Sequence, residues 1–277
     1  MQIFLFGILL FAGVVSLVWL GSSAKKLVLP QTSLVQEAGS MEESSNEEWW
    51  VNSGAYIIKT EAGFKTIQDE LSPFSRWRVR YFFSNAVDTD SGYHPQNIFR
   101  LVRKTMWENG DQTVYARIVK LHMSESPERD AWSGVFLFLR YKDQDNLYYA
   151  GLRQDGAAVI KKKIGGIYYT LAYTPFFYLG ITPYNRDSTP NLIPGMRWIG
   201  LRTVAKTEEN GIVSIRLLVQ KEEKEGWKTA LEAVDDGKTY GGPALEKGYG
   251  GIRSDFMDVE FRDYMVKPLE TLGNFGD

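Results

Sequence analysis

The stretch SGVFLFLRYKDQDNLYYAGLRQDG, residues 133–156, decides the fold. Two apolar runs, 134–141 and 147–153, flank the polar turn 142–146, and Asp155-Gly156 closes the second run. Runs this short, rich in aromatic and branched residues and bounded by turn residues, read as the two arms of an antiparallel hairpin. The next stretch repeats the arrangement: AAVIKKK (157–163), the turn Gly165-Gly166, and IYYTLA (167–172). Upstream, NIFRLVRK (97–104) and TVYARIVKLH (113–122) flank the turn 108–111, and RWRVRYF (76–82) alternates charged with apolar residues as a further strand would. Downstream, MRWIGLRTVA (196–205), Asn210-Gly211, IVSIRLLVQ (212–220), WKTALEAV (227–234), GGIR (250–253) and MDVEFRDYMV (257–266) continue the series. Strands at this spacing predict a sandwich or barrel, and the absence of a 40-residue repeat argues against a propeller. We therefore expect an all-β, two-sheet antiparallel jelly-roll sandwich over residues 49–267. No helix longer than about three turns is expected after residue 48, and the closing strand 257–266 should lie near an early one.

Composition narrows the chemistry. The 277-residue chain carries 8 Trp, 15 Tyr and 15 Phe, which favour strands, and a net charge of −2, which argues against a nucleic-acid partner. It has no cysteine, so disulfides, thiolate catalysis and cysteine-ligated metals are excluded, and two histidines do not make a multi-histidine site. No cofactor is expected. Two oxygen-rich turns, around Asp88 and Asp90 and around Asp143 and Asp145, are compatible with a structural calcium, although neither has the EF-hand spacing and ordinary turn chemistry explains both.

The first twenty-four residues differ from the rest. Residues 3–20 (IFLFGILLFAGVVSLVWL) are uncharged and apolar, followed by Gly21-Ser22-Ser23-Ala24 and then Lys25-Lys26. The small residues at 22 and 24 fit a signal-peptidase site, whereas the length of the run and the lack of a preceding cation fit a retained anchor. Either way the folded part is expected outside the cytoplasm, secreted or tethered, with the membrane engaged only through this segment. Residues 25–48 are polar and acidic and read as a flexible linker, 49–267 as the sandwich and 268–277 as a tail.

Three segments carry a family resemblance: 133–156, the hairpin VIKKKIGGIYYTLA (159–172) and GYGGIRSDFMDVEFRDYMV (248–266). Their order resembles the concanavalin-A-like (laminin-G-like) lectin and glucanase superfamily, in particular the branch associated with 3-keto-disaccharide hydrolases. Arg140, Asn146 and Tyr148 match that branch's mid-domain hairpin. Gly251, Ile252, Val259, Glu260, Phe261 and Arg262 match its closing strand. These matches are structural, so the resemblance implies a fold, and a sugar-related role by analogy.

The leading functional expectation is carbohydrate recognition on an exposed sheet face. Arg140, Arg153, Lys161 and Lys163 would supply anion and hydroxyl contacts, and Tyr149 and Tyr168 ring stacking. Lysine at a strand edge is equally an ordinary solubility device. Four prolines and five aromatics mark the loop 173–195, whose Phe176, Phe177 and Tyr178 would rim the cleft or pack over a sandwich end.

The alternative is a glycan-active enzyme. The segment YYAGLRQ (148–154) is similar to a strand of alginate lyases that carries a tyrosine proton shuttle, making Tyr148 and Tyr149 the candidates. Its position is central rather than late, and 76–80 lacks the glutamate of the partner strand. Hydrolase chemistry needs paired carboxylates, and Asp255, Asp258 and Glu260 have the wrong order and spacing for the glucanase motif. A protein-binding adhesion module is the third reading, and a flat aromatic patch without a cleft would favour it.

Overall fold

The computed structural model describes residues 34–53, 55–68, 70–177 and 183–269. The apolar run 3–20, the start of the acidic stretch, Tyr178 and most of the tail lie outside the described residues. Along the chain come β1 (Trp49–Val51), β2 (Ile57–Lys59), β3 (Phe64–Thr66), α1 (Arg76–Ser84), β4 (Ile98–Trp107), β5 (Gly110–Leu121), β6 (Gly134–Asp143) and β7 (Asn146–Arg153). There follow β8 (Ala157–Ile164), β9 (Ile167–Pro175), β10 (Ile199–Thr207), β11 (Val213–Gln220), β12 (Lys228–Asp235), β13 (Gly248–Asp255) and β14 (Met257–Pro268). They form two antiparallel sheets of seven strands. The front sheet runs β1-β4-β13-β6-β7-β8-β9 and the back sheet β12-β11-β10-β5-β14-β3-β2. This is the expected sandwich, and β14 pairs with the early strands β3 and β5.

Strand alternation builds the core. Val135, Leu137 and Leu139 of β6, Tyr148, Ala150 and Leu152 of β7, and Ala158 and Ile160 of β8 point inward. They meet Val114, Ala116 and Ile118 of β5, Leu201 of β10 and Ile215 of β11 from the back sheet. Each fully buried Val, Leu or Ile among them contributes about 1.5–3 kcal/mol before the entropy of ordering is subtracted. One buried polar side chain bridges the two sheets. Gln112 of β5 donates to the Phe138 carbonyl and accepts from the Gly251 amide and the Tyr264 hydroxyl. It thus spans the sheets where the pairing of β13 shifts register between Tyr249 and Gly251.

Two segments differ from the sequence expectation. Residues 76–82, expected as a strand, begin the helix α1, in which no residue is buried. Alternation specifies a strand only when every second residue lies on a buried face, and here Trp77, Arg78 and Tyr81, the residues turned to the protein, are only half-buried. Part of the stretch read as a spacer also lies against the sandwich. Val35 joins the core, the Leu34 amide donates to the Ile57 carbonyl, and the Trp50 indole donates to the Ala38 carbonyl. Among the described residues no helix is long and apolar enough to cross a membrane.

Candidate site on the outer face of the front sheet

The residues of β6, β7 and β8 that point away from the core form a second apolar layer. Val102, Phe136, Phe138, Tyr141, Leu147, Tyr149 and Val159 are buried there, partly under Met41, Trp50 and Tyr249. This second layer explains why β6 reads as a continuous apolar run rather than an alternating one. Beside it the face opens into a cleft of about 320 Å³, at the lower end of small-molecule sites.

Neighbouring strands bring the lining together. Tyr149 of β7 stands opposite Lys161 of β8, and Lys163 opposite Tyr168 of β9. On the other side Arg253 of β13 lies between Arg100 of β4 and Phe136 of β6. The loop after β5 contributes Glu128, Asp130 and Trp132, and the segment after α1 contributes Asp88.

Lys161 is the unusual group. It is 8% exposed, and its Nζ sits 4.0 Å from the Trp132 ring centroid and 5.0 Å from that of Tyr168. Its ammonium forms no hydrogen bond or ion pair among the described residues. Burial pushes its pKa down to about 8, and the charges of Arg153 and Arg253 add to the effect. Trp132 is held from the other quarter by Arg153, whose Cζ lies 3.5 Å from the ring centroid. Arg153 is itself tied to Asp155 at 2.7 Å and to the Ala131 carbonyl. It therefore positions Trp132 rather than offering a free charge.

Arg253 donates from Nε to both carboxylate oxygens of Asp255, at 2.9 and 3.0 Å, in a largely buried pair. Burial raises the Asp255 carboxyl and the Arg253 charge opposes it. Burial works most strongly against Arg253, but Asp255, Tyr149 and Tyr168 together outweigh it and the guanidinium is held charged. Arg100 beside them has no carboxylate within ion-pair distance among the described residues. Its pKa is lowered by burial and then by Arg253. The cleft thus presents cationic donors, carboxylate acceptors and aromatic walls within one small volume. Tyr149 is itself nearly buried, and burial raises its phenol, which stays neutral.

The structure places the sequence candidates unequally. Tyr149, Lys161 and Tyr168 line the cleft, and Arg153 supports it. Lys163 lies at the border, donating to the Gln144 carbonyl and Asp145. Arg140 does not belong here. A positive φ of 49° turns it to the interior, where it donates to the Glu108 and Leu245 carbonyls and to Thr207. Tyr148 is fully buried between the sheets, bonded to Asp235 at 2.5 Å, so it reaches no substrate as a proton shuttle. Phe176 and Phe177 pack against the inter-sheet core near Lys221, not at the cleft. Of the three carboxylates weighed together, only Asp255 lines the cleft. Asp258 accepts from the Gln68 amide and Glu260 pairs with Arg117.

The oxygen-rich turns are occupied by their own donors. Asp90 accepts from Ser124 and Asn97 and lies 2.9 Å from His94, Asp88 accepts from Ser126, and Asp143 accepts from the Asp145 amide and Asn146. Among the described residues no three His, Asp or Glu side chains converge on a point where a metal would bind. Sequence reasoning missed Trp132, Arg100 and Arg253. Arg100 and Arg253 sit in strands whose outward side reads as ordinary solvated surface, and Trp132 lies in a polar loop.

No family model matches the chain, and no curated protein matches it. Among solved structures it is similar to carbohydrate binding module CBM66 from Bacillus subtilis, at 11% identity and a TM-score of 0.48, covering 79% of this chain and 94% of that one. It is similar also to a Bacillus subtilis protein of unknown function with a galectin-like fold, at 14% identity and TM-score 0.45, over 79% and 89% of the two chains. A third is the exoplasmic/lumenal domain of VIP36 in its Ca2+/Man3GlcNAc-bound form, at 12% identity and TM-score 0.45, over 82% and 88%. The fold of this chain is a two-sheet antiparallel sandwich.

Proposed function

We propose that the cleft on the outer face of the front sheet binds a carbohydrate, as a recognition domain acting outside the cytoplasm. The observation that carries this reading is the Lys161 ammonium, nearly buried and without a carboxylate partner, set between Trp132 and Tyr168. An unpaired buried cation is costly, and a ligand oxygen that accepts from it repays the cost. Arg100 offers a second donor of the same kind. Asp130, Glu128 and Asp88 also line the cleft and supply acceptors, so it matches a ligand that both donates and accepts, as sugar hydroxyls do. Exposed parts of the Trp132 and Tyr168 rings give an apolar wall for sugar C–H faces. A lyase needs an arginine and an amide side chain facing its tyrosine, and among the described residues no Asn or Gln lines this cleft. A cleft rather than a flat patch also favours a small ligand over adhesion to a protein. The export expectation rests on the apolar run 3–20.

The test is pH-dependent binding. Lys161 is protonated below its pKa of about 8 and neutral above it, so affinity is expected to fall as pH rises through that value. Lys161→Met should bind about tenfold or more weakly at pH 7 and lose the pH dependence. Its stability should change by less than about 1 kcal/mol, because a buried unpaired charge and its cation–π contacts leave together. Calorimetric titration at pH 6.5 and pH 9 with wild type and variant reads both. Binding that is flat with pH in the wild type would remove Lys161 from the site.

A further inference from the structure

We propose that α1 is a peripheral membrane contact, laying its outward face on an anionic lipid surface. The helix is reversed relative to an ordinary surface helix, because its solvent side carries apolar groups. Successive residues turn by 100°, which places Phe82, Val79 and Phe83 on one arc and Arg76 and Arg80 on the arc beside it. Phe83 is 81% exposed, and Phe74, just before the helix, is 96% exposed. Trp77, Arg78 and Tyr81 face the protein. Arg78 is fastened to the Leu71 carbonyl at 2.8 Å and lies 3.5 Å from the Tyr93 ring centroid, so the helix is held while its apolar arc stays uncovered.

Charge selects the occupant. The helix contains no carboxylate. Arg76 and Arg80 flank the Trp77 ring at 4.7 and 5.1 Å, an arrangement of guanidinium and indole suited to the lipid headgroup region. Arg80 also meets Glu37 at 3.5 Å, which offsets part of its charge. In the sequence the apolar run 3–20 precedes Leu34 by thirteen residues.

The chain has no cysteine, so one introduced thiol labels it uniquely. Ser84→Cys places an environment-sensitive fluorophore at the end of the helix, one residue after Phe83 and on the arginine side of the exposed face, without removing any of that face, and Asn210→Cys, in the hairpin turn of the back sheet, is the control. The full-length protein is reconstituted into vesicles of phosphatidylglycerol with phosphatidylcholine carrying a nitroxide lipid. The label at 84 is expected to shift to the blue and to be quenched, and the label at 210 to be unaffected. Arg76→Glu with Arg80→Glu should lower the lipid-bound fraction at 84 by about tenfold at low salt, as should pure phosphatidylcholine. Phe82→Ser with Phe83→Ser should do so at any salt. Equal water exposure at 84 and 210 overturns the proposal. So does a shift at 84 that follows protein density without nitroxide quenching, which would assign the face to a second copy of the chain.

Discussion

Asp235→Ala is expected to destabilise the sandwich by about 3–5 kcal/mol, the largest effect of any single substitution considered. Asp235 of β12 reaches from the back sheet to Lys162 of β8 in the front sheet. The pair is 2.8 Å apart with both side chains at 0% exposure. The same carboxylate accepts from the Tyr148 hydroxyl and from the Gly237 amide, and Lys162 also donates to the Gly242 carbonyl. Tyr148 accepts in turn from the Leu245 amide, and Arg140 donates to the Leu245 carbonyl. Removing Asp235 leaves an ammonium buried with one carbonyl, and burial without a counter-charge is the expensive case. Urea or thermal unfolding measures it. Replacing both partners, Asp235→Leu with Lys162→Met, should recover most of the loss, since no charge is then stranded. A double variant as unstable as the single one would mean that cavity and packing, not charge, set the cost.

Trp132→Ala combined with Tyr168→Ala is expected to abolish carbohydrate binding while leaving the fold intact. The two rings wall the cleft and sandwich Lys161, and truncating paired aromatic anchors costs about 2 kcal/mol or more each. Both are partly exposed and lie outside the inter-sheet core, so the unfolding midpoint should move little. Titration with a bound glycan, alongside circular dichroism, checks both halves. Unchanged affinity would place the ligand elsewhere on the sandwich.

The hairpins of the front sheet were legible because their turns, Asp155-Gly156 and Gly165-Gly166, fix register locally and both glycines 156 and 165 take positive φ. Tyr149, Lys161 and Tyr168 could be grouped from that register alone, since neighbouring strands joined by short turns put alternate residues on one face. Arg140 defeated the same reasoning. A bulge between Leu139 and Asp143 breaks the alternation, and no residue type in the sequence marks it. The Arg100–Arg253 side of the cleft depends on pairing between β4 and β13, strands about 150 residues apart in the chain, and no turn announces such a partner. The helix α1 was misread as a strand because charge alternates with apolar residues there for a reason other than core packing.

The most direct measurement is a glycan array probed with the full-length protein and with Lys161→Met side by side, at pH 7. The wild type is expected to retain a defined class of glycan, and the variant to lose it while remaining folded. Retention of the same glycans by both proteins, or of none by the wild type, would contradict it.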